Sequence, residues 1–456
     1  MKKIKVTISK DRLQAFMSVS DYTDLKLSDI VKTLQEAGLT YGIQGENIKT
    51  AFNHKILNTD ILVAYGKPPV QGVDAKIECL VDITPQTLAE IIDDKNDYVP
   101  VTISNVKKGQ KLFKVEPHTA GVAGISINGS EIFAKPGRPA RPIKGRNVRF
   151  SPYNPNYLVS EVDGNLVWDE LRANVMPDYK AFGSLGVLNG DIYFIGNLIV
   201  TGNINPGIKV KTGGNLEVWG NVEDSTLEAE GDIVIRGGFF GHGKGKLFAK
   251  GNITVSLVDN QLVHSLRTIT IKKECVNANL NAYTIQAESA SIFGGTITAF
   301  DSIEVRELGR SQNVITKVSI GSKLHKMNMI RILENEIREI ETYSKKLNES
   351  ANYLLAKRMK FGFITPDEEL DYLTTKDELK EMVMKLKSLM ERREFYISKL
   401  NDRINPRLRI LDSIYPNVLL SINDIRSENS RVFSNSVFFE RDNSVFRAAL
   451  PKFETL

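Results

Sequence analysis

The sequence predicts a mainly β protein, a parallel β-helix or β-solenoid with an N-terminal α/β module and a long antiparallel coiled-coil hairpin. Three observations predict it. Gly-Asn followed by a branched apolar residue recurs at Gly196, Gly202, Gly214 and Gly220. Within these repeats the apolar residues fall two apart, the alternation of a strand with one face turned inward. After about residue 322 the apolar spacing changes to three, four and seven, which is that of helices sharing a coiled-coil seam.

A chain of 456 residues exceeds one ordinary compact domain. Hydrophobic residues at 41% and charged residues at 25% suit a globular protein, and no stretch approaches the apolar run of about 18 that a membrane span needs. The opening MKKIKVTISKDR is basic but returns to polar residues before a signal-peptide apolar region forms, so a cytoplasmic location is expected. Cys79 and Cys275 lie far apart, which signals neither a disulfide framework nor a zinc cluster. A net charge of +5 is mild for this length and falls short of a dedicated nucleic-acid binder.

Five segments follow in order. Residues 1–98 read as an α/β module: KIKVTI alternates, and LSDIVKTLQEAGLTYGI is a helix with Ser28 at its start, Ile30, Val31 and Leu34 on one face, and Gly38 as its stop. ILVAY at Ile61 to Tyr65 is a buried strand ended by Gly66-Lys67-Pro68-Pro69. Residues 99–181 are short strands broken by glycine and proline, an all-β module with long hairpin loops. Residues 182–321 carry the repeat.

In residues 322–404 a first helix places Leu324, Met327, Ile330, Leu333, Ile337, Ile340 and Leu347 along a seam. GFITPDEEL breaks it, with Thr365 capping a second helix and Pro366 at its first position. Leu370, Leu373, Leu379, Leu386, Leu389, Ile397, Leu400 and Ile404 continue the periodicity. Two helices of about 40 residues make a rod of roughly 60 Å, expected to project. Residues 405–456 return to strands, either a further module or strands that close the repeat.

Aligned on Gly followed by Asn or Asp, the repeat falls at Gly196, Gly214, Gly231 and Gly251, offsets of 18, 17 and 20. Such a period fits one coil of a solenoid, and seven or eight rungs at about 4.8 Å give a column near 35 to 40 Å long. Leu198 and Val200, Leu216 and Val218, Ile233 and Ile235, and Ile253 and Val255 are the inward residues. Asn197, Asn215, Asp232 and Asn252 are expected to stack at one corner, where Gly and Asn tolerate positive φ and Asn side chains can hydrogen-bond along the ladder.

The run GNLIVTGNINPGIKVKTGGNLEVWGNVEDSTLEAEGDIVIRGGFFGHGKGKLFAKGNI, then IFGGTITAFDSIEVRELG and the helical hairpin, resembles the bacterial flagellar assembly protein A (FapA) family. LTYGI, LVAYGKPPVQGVDAKI, VKKGQKL and GVAGISINGSEI extend the resemblance over nearly the whole chain. It implies an N-terminal α/β region, a right-handed β-solenoid similar to the C-terminal domain of the septum-site protein MinC, a helical hairpin and a C-terminal β segment. It further implies a cytoplasmic protein of flagellated bacteria that acts in flagellar assembly or polar placement through protein partners. It supplies no catalytic residue.

Other chemistries are weaker. In GFFGHGKG, Gly238, Gly243 and Lys244 satisfy G-x-x-x-x-G-K, but Gly245 stands where a phosphate loop needs Ser or Thr, and a strand follows. Hexapeptide acyltransferases build similar prisms around a histidine base, for which His242 or His264 is the candidate, though the strict six-residue stride fails and a loop or surface histidine fits better. A carbohydrate-active β-helix would use Glu217, Glu223, Asp224, Glu228 and Glu230, which read more simply as a solvated strand face.

KPGRPARPIKGRNVR gathers Arg138, Arg141, Lys144 and Arg146 among prolines, the candidate polyanion or nucleic-acid surface, although interleaved aromatics are missing. Phe361, Phe363 and Ile364 at the hairpin tip are the candidate partner-binding residues. No catalytic, cofactor or metal residue is assigned, nucleic acid is not the expected partner, and a homodimer is open because solenoid ends tend to be capped or to pair.

Overall fold

The alternating strands of the first 80 residues build a small antiparallel sheet in the computed structural model, which describes residues 3–82, 101–140, 143–168, 172–310, 314–398 and 405–450, less the side chains of residues 143, 324 and 325. Gln14–Val19 lies between Ile4–Ile8 and Ile61–Tyr65. Helices α1 (Leu27–Glu36) and α2 (Gly45–Asn53) pack Ile30, Leu34, Ile48 and Ala51 with Met17, Val19 and Val63. α1 begins one residue before Ser28, and the Lys26 N–H donates to the Asp29 carboxylate at 3.0 Å. Val31 turns to solvent, because so short a helix buries only the narrow stripe one turn apart. Gly38, at φ +81°, ends the helix while the Leu39 N–H reaches the Leu34 carbonyl at 3.1 Å.

The chain divides into two compact units, Met1–Cys79 with Phe113–Pro142 and Leu80–Leu112 with Ile143–Leu456. In the first, residues 67–75 run beside 119–138: Lys67 pairs with Ile125, Val70 with Val122, and the Gly72 N–H donates to the Lys135 carbonyl at 2.9 Å. A Cβ at Gly124 or Gly137 would strike the backbone of 67–69 or 73–74, which is why these motifs are glycine-rich.

The second unit is dominated by the solenoid, a parallel stack of about eight turns. Its first face pairs 197–200 with 216–218, then 233–235, 253–255 and 269–271. Along it Leu198, Leu216, Ile233, Ile253, Ile269, Ile285 and Ile303 form one buried column, each on the equivalent residue of the next turn. The second face stacks Ile192, Val210, Leu227, Leu247, Val263, Leu280, Ile297 and Val318. The third runs through Val222, Phe239, Val258, Cys275, Ile292 and Leu308. Burial of the Cys275 thiol in this column pushes its pKa up to about 12, so it behaves as a small apolar filler.

The asparagine corner forms with the expected ladder of side-chain hydrogen bonds, but without the positive φ. Asn197 Oδ1 accepts the Asn215 N–H at 2.8 Å, Asn215 Oδ1 accepts the Asp232 N–H at 2.8 Å, and Asp232 Oδ1 accepts the Asn252 N–H at 2.6 Å. A second corner repeats the device, Asn203 Oδ1 accepting the Asn221 N–H and Asn221 Oδ1 the Gly238 N–H, each at 2.8 Å. None of these residues has positive φ. The glycines are required by proximity: a Cβ at Gly214, Gly231 or Gly251 would run into Asn197, Asn215 or Asp232 Oδ1 of the turn before.

Helices α3 (Lys323–Phe361) and α4 (Pro366–Ser398) are an insertion into the solenoid, which resumes after them: Arg407–Ile414 pairs in parallel with Thr296–Leu308, and Val418–Ile422 with Thr316–Ile320. Ile425–Glu428, Phe433–Arg441 and Ser444–Ala449 then add antiparallel strands. The terminal β segment therefore closes the repeat, ending the stack of open parallel edges. At the other end Val101 and Ile103 join the column core, and the Asn105 amide pairs with the Tyr193 carbonyl and Ile195 N–H at 2.9 Å each.

The hairpin does not project. Met329, Leu333, Ile337 and Ile340 of α3 and Leu389 and Tyr396 of α4 pack with Leu266 and Phe300 of the solenoid, and with the partly buried Phe248 and Tyr283. Outward-facing aromatics on one solenoid face thus take up apolar surface that the two-helix seam alone would leave wet. Lys250 crosses the junction between Glu230 at 2.5 Å and Glu336 at 2.6 Å. Leu400 and Ile404 lie outside the described residues, as does the side chain of Leu324.

Candidate functional site

The GFFGHGKG turn folds around a carboxylate. Asp224 Oδ2 accepts the His242 N–H at 2.9 Å, while Oδ1 accepts the Lys244 N–H at 3.1 Å and Gln261 Nε2 at 2.9 Å. Burial acts to raise the Asp224 pKa, but these hydrogen bonds prevail and hold it well below the ordinary carboxylate range. Two N–H groups of the turn that a phosphate would use, those of His242 and Lys244, are already spent on Asp224, and the Gly245 N–H donates to Gln261 Oε1 at 2.7 Å. His242 lies in solvent with Nδ1 3.3 Å from Asp224.

His264 is neither a loop nor a surface residue. It stands in the strand Leu262–Ser265, outward from the column, edge-on to Phe248 with ring centroids 5.3 Å apart. Burial lowers its pKa. Its Nε2 and the Oδ1 of Asn281, its partner in the next turn, are both buried without a hydrogen bond.

The remaining candidates fall in separate places. Arg138 belongs to the first unit, exposed, its backbone N–H held by Asp74 at 2.6 Å and its carbonyl by the Ala75 N–H at 3.0 Å. Lys144 and Arg146 belong to the second, exposed, beside Arg172–Met176. Arg141 lies outside the described residues. At the hairpin loop Phe363 is 70% exposed, Met359 and Phe361 are also exposed, and Ile364 is half-buried. Gly362, left-handed at φ +78°, ends α3, and α4 opens on a reciprocal cap in which Thr365 N–H meets Glu368 Oε2 at 3.0 Å and Glu368 N–H meets Thr365 Oγ1 at 3.2 Å.

Two surfaces escaped the sequence. In the first unit Val70, Val73, Val122 and Phe133, the last 82% exposed, stand in solvent on the interleaved segments, whose pairing has no periodic signature. In the second, the lysines of VKKGQKL meet the acidic side of α4: Lys111 lies 2.8 Å from Asp371, Lys108 2.7 Å from Glu381 and Lys107 3.8 Å from Glu378. Separations of more than 250 residues hide such pairs from any local reading.

With solenoid, capping strands and hairpin in place, the family comparison is decisive. The family model of the Flagellar Assembly Protein A beta solenoid domain matches residues 177–445. The chain belongs to the flagellar assembly protein A family. The model of the family's N-terminal region matches residues 4–170, so FapA membership extends over both units. No curated protein and no solved structure matches the chain. Membership places it among proteins of flagellar assembly, a family not known for enzymes. Among the described residues, no helix is long and apolar enough to cross a membrane.

Proposed function

We propose that this FapA protein is a non-enzymatic scaffold or localisation factor in flagellar assembly or polar placement, acting in the cytoplasm through protein–protein contacts. Family membership supports the pathway. The observation that carries the contact role is the hairpin loop, where Met359, Phe361 and Phe363 are exposed together although Ala351, Leu354 and Leu370 nearby are buried. Apolar residues exposed singly are ordinary, whereas a cluster at the turn of a hairpin offers an anchor for a partner.

Deleting the gene in the native bacterium, with flagella counted and located by electron microscopy and swimming measured, is the test. Loss, misplacement or miscounting of flagella is expected. Normal flagella and swimming would overturn the reading. Restoring the gene as Phe361→Ala/Phe363→Ala should leave the defect in place. Full rescue by that variant would remove the loop from the contact surface.

A further inference from the structure

The turn at residues 107–110 is fixed so that its lysine side chains are what it presents. The Lys107 N–H donates to Gln110 Oε1 at 2.9 Å, and the Gln110 N–H returns to the Lys107 carbonyl at 3.0 Å. The Lys108 N–H donates to Asp163 Oδ1 at 2.7 Å, and Gly109, at φ +83°, donates to the Ser160 carbonyl at 2.8 Å. Backbone donors from Lys107 to Gln110 are thereby used, and the turn is rigid before anything docks on it.

What docks is α4. Asp371, Glu378 and Glu381 succeed one another at seven and three residues, which sets them on one side of the helix. Lys111 Nζ also reaches the Asp367 carbonyl at 3.3 Å and lies 5.0 Å from the Tyr157 ring centroid. Beside these charges Leu370, 1% exposed, seats between Tyr157 and Val159. One apolar anchor flanked by acids over a lysine-lined groove is a helix-in-groove mode of recognition, realised here within one chain.

The two ends of the hairpin are held unequally. Near the start of α3 and the end of α4, a broad apolar contact joins it to the solenoid. Near the loop one leucine and three ion pairs hold it; Lys108 and Glu381 are 61% and 51% exposed, while Lys111 is only 20% exposed. The apolar contact here is far smaller than at the other end, and the exposed Lys108–Glu381 pair is weak and screened by salt, so this end opens more readily.

We propose that the Lys107–Lys108–Lys111 turn with Tyr157 and Val159 is a docking groove for an acidic, leucine-anchored helix of a partner protein. The start of α4 occupies it in cis, and the partner helix enters when the loop end of the hairpin lifts. A groove of this kind deepens the assembly-factor reading by giving the partner's chemistry, while the motility phenotype that tests that reading does not depend on it.

The test uses the full chain and a fluorescent, lactam-stapled peptide of residues 365–383, with binding followed by anisotropy. Weak binding to the wild-type chain is expected, because the cis helix competes. Weakening that helix with Asp371→Asn/Glu378→Gln/Glu381→Gln should tighten binding at least about fivefold, since a larger fraction of molecules is competent. In that background Lys108→Glu/Lys111→Glu, checked for unchanged melting, should weaken binding at least about tenfold, and Leu370→Ala in the peptide likewise.

No saturable binding to the weakened chain, or equal binding with and without the groove lysines, overturns the proposal. Dimers of the wild-type chain forming without peptide, and lost with Lys108→Glu/Lys111→Glu, would give the groove to a second copy and overturn the partner-protein assignment.

Discussion

The solenoid and the hairpin laid against it both repeat apolar residues, yet one repeat fixes its partners and the other leaves them open. In the solenoid each inward residue meets the equivalent residue one turn away, because parallel backbone pairing sets register, as from Leu198 to Leu216 to Ile233. In the hairpin an apolar residue every three or four positions has two possible partners, the other helix or the solenoid. Leu333, Ile337 and Ile340 are buried in the cluster that includes Leu266 and Phe300. Regular spacing determines neighbours only when backbone hydrogen bonds determine register as well.

The largest effect should come from breaking the column. Leu216→Ala removes a fully buried side chain whose neighbours above and below are held in register and collapse little into the cavity. A loss of about 2–5 kcal/mol is expected, read as a fall in the urea midpoint. A loss under 1 kcal/mol would mean that the turns relax independently.

Next comes the corner. Gly214→Ala drives a Cβ into Asn197 Oδ1 and should cost about 1–3 kcal/mol. Asn197→Ala removes both that obstacle and the hydrogen bond to Asn215, so the double variant should be less destabilised than the two single losses added. Strict additivity would show that the glycine serves some purpose other than close approach.

At the hairpin, Leu370→Ala should leave the main unfolding transition nearly unmoved while speeding amide exchange in the first turns of α4, because its contact is local. A large shift of the whole transition would make the loop end as integral as the solenoid.

The smallest effect concerns pH. Burial lowers the folded-state pKa of His264 from the ordinary 6.5, so the unfolded chain binds the proton first as pH falls. This residue's contribution is therefore complete above about pH 6.5 and is lost progressively below it, toward its lower folded value. His264→Gln should flatten the stability profile as pH falls below about 6.5, measured by urea midpoints, with little change at pH 8. An unchanged slope would place the pH dependence elsewhere.

Much was legible in the sequence. The column residues, the asparagine corner, the cap at Thr365 and the end of α3 at Gly362 follow from spacing and local backbone chemistry, because each involves neighbours within a few residues or one repeat. Illegible were the close approach at Gly214, the burial of His264 and the grip of Lys108 on Glu381, each made by residues that no local pattern connects.

By itself the sequence determined that a solenoid forms, which residues face its interior and where the first long helix ends and the second begins. Those features follow from periodicity, and periodicity acts at every repeat. Only the tertiary structure decided that the helices interrupt the stack rather than follow it, that they lie along its flank, and that their acidic side closes over the lysine turn. The physical reason is that a chain's pattern specifies which faces must be covered, while the choice of cover depends on apolar area and charge brought together from distant segments.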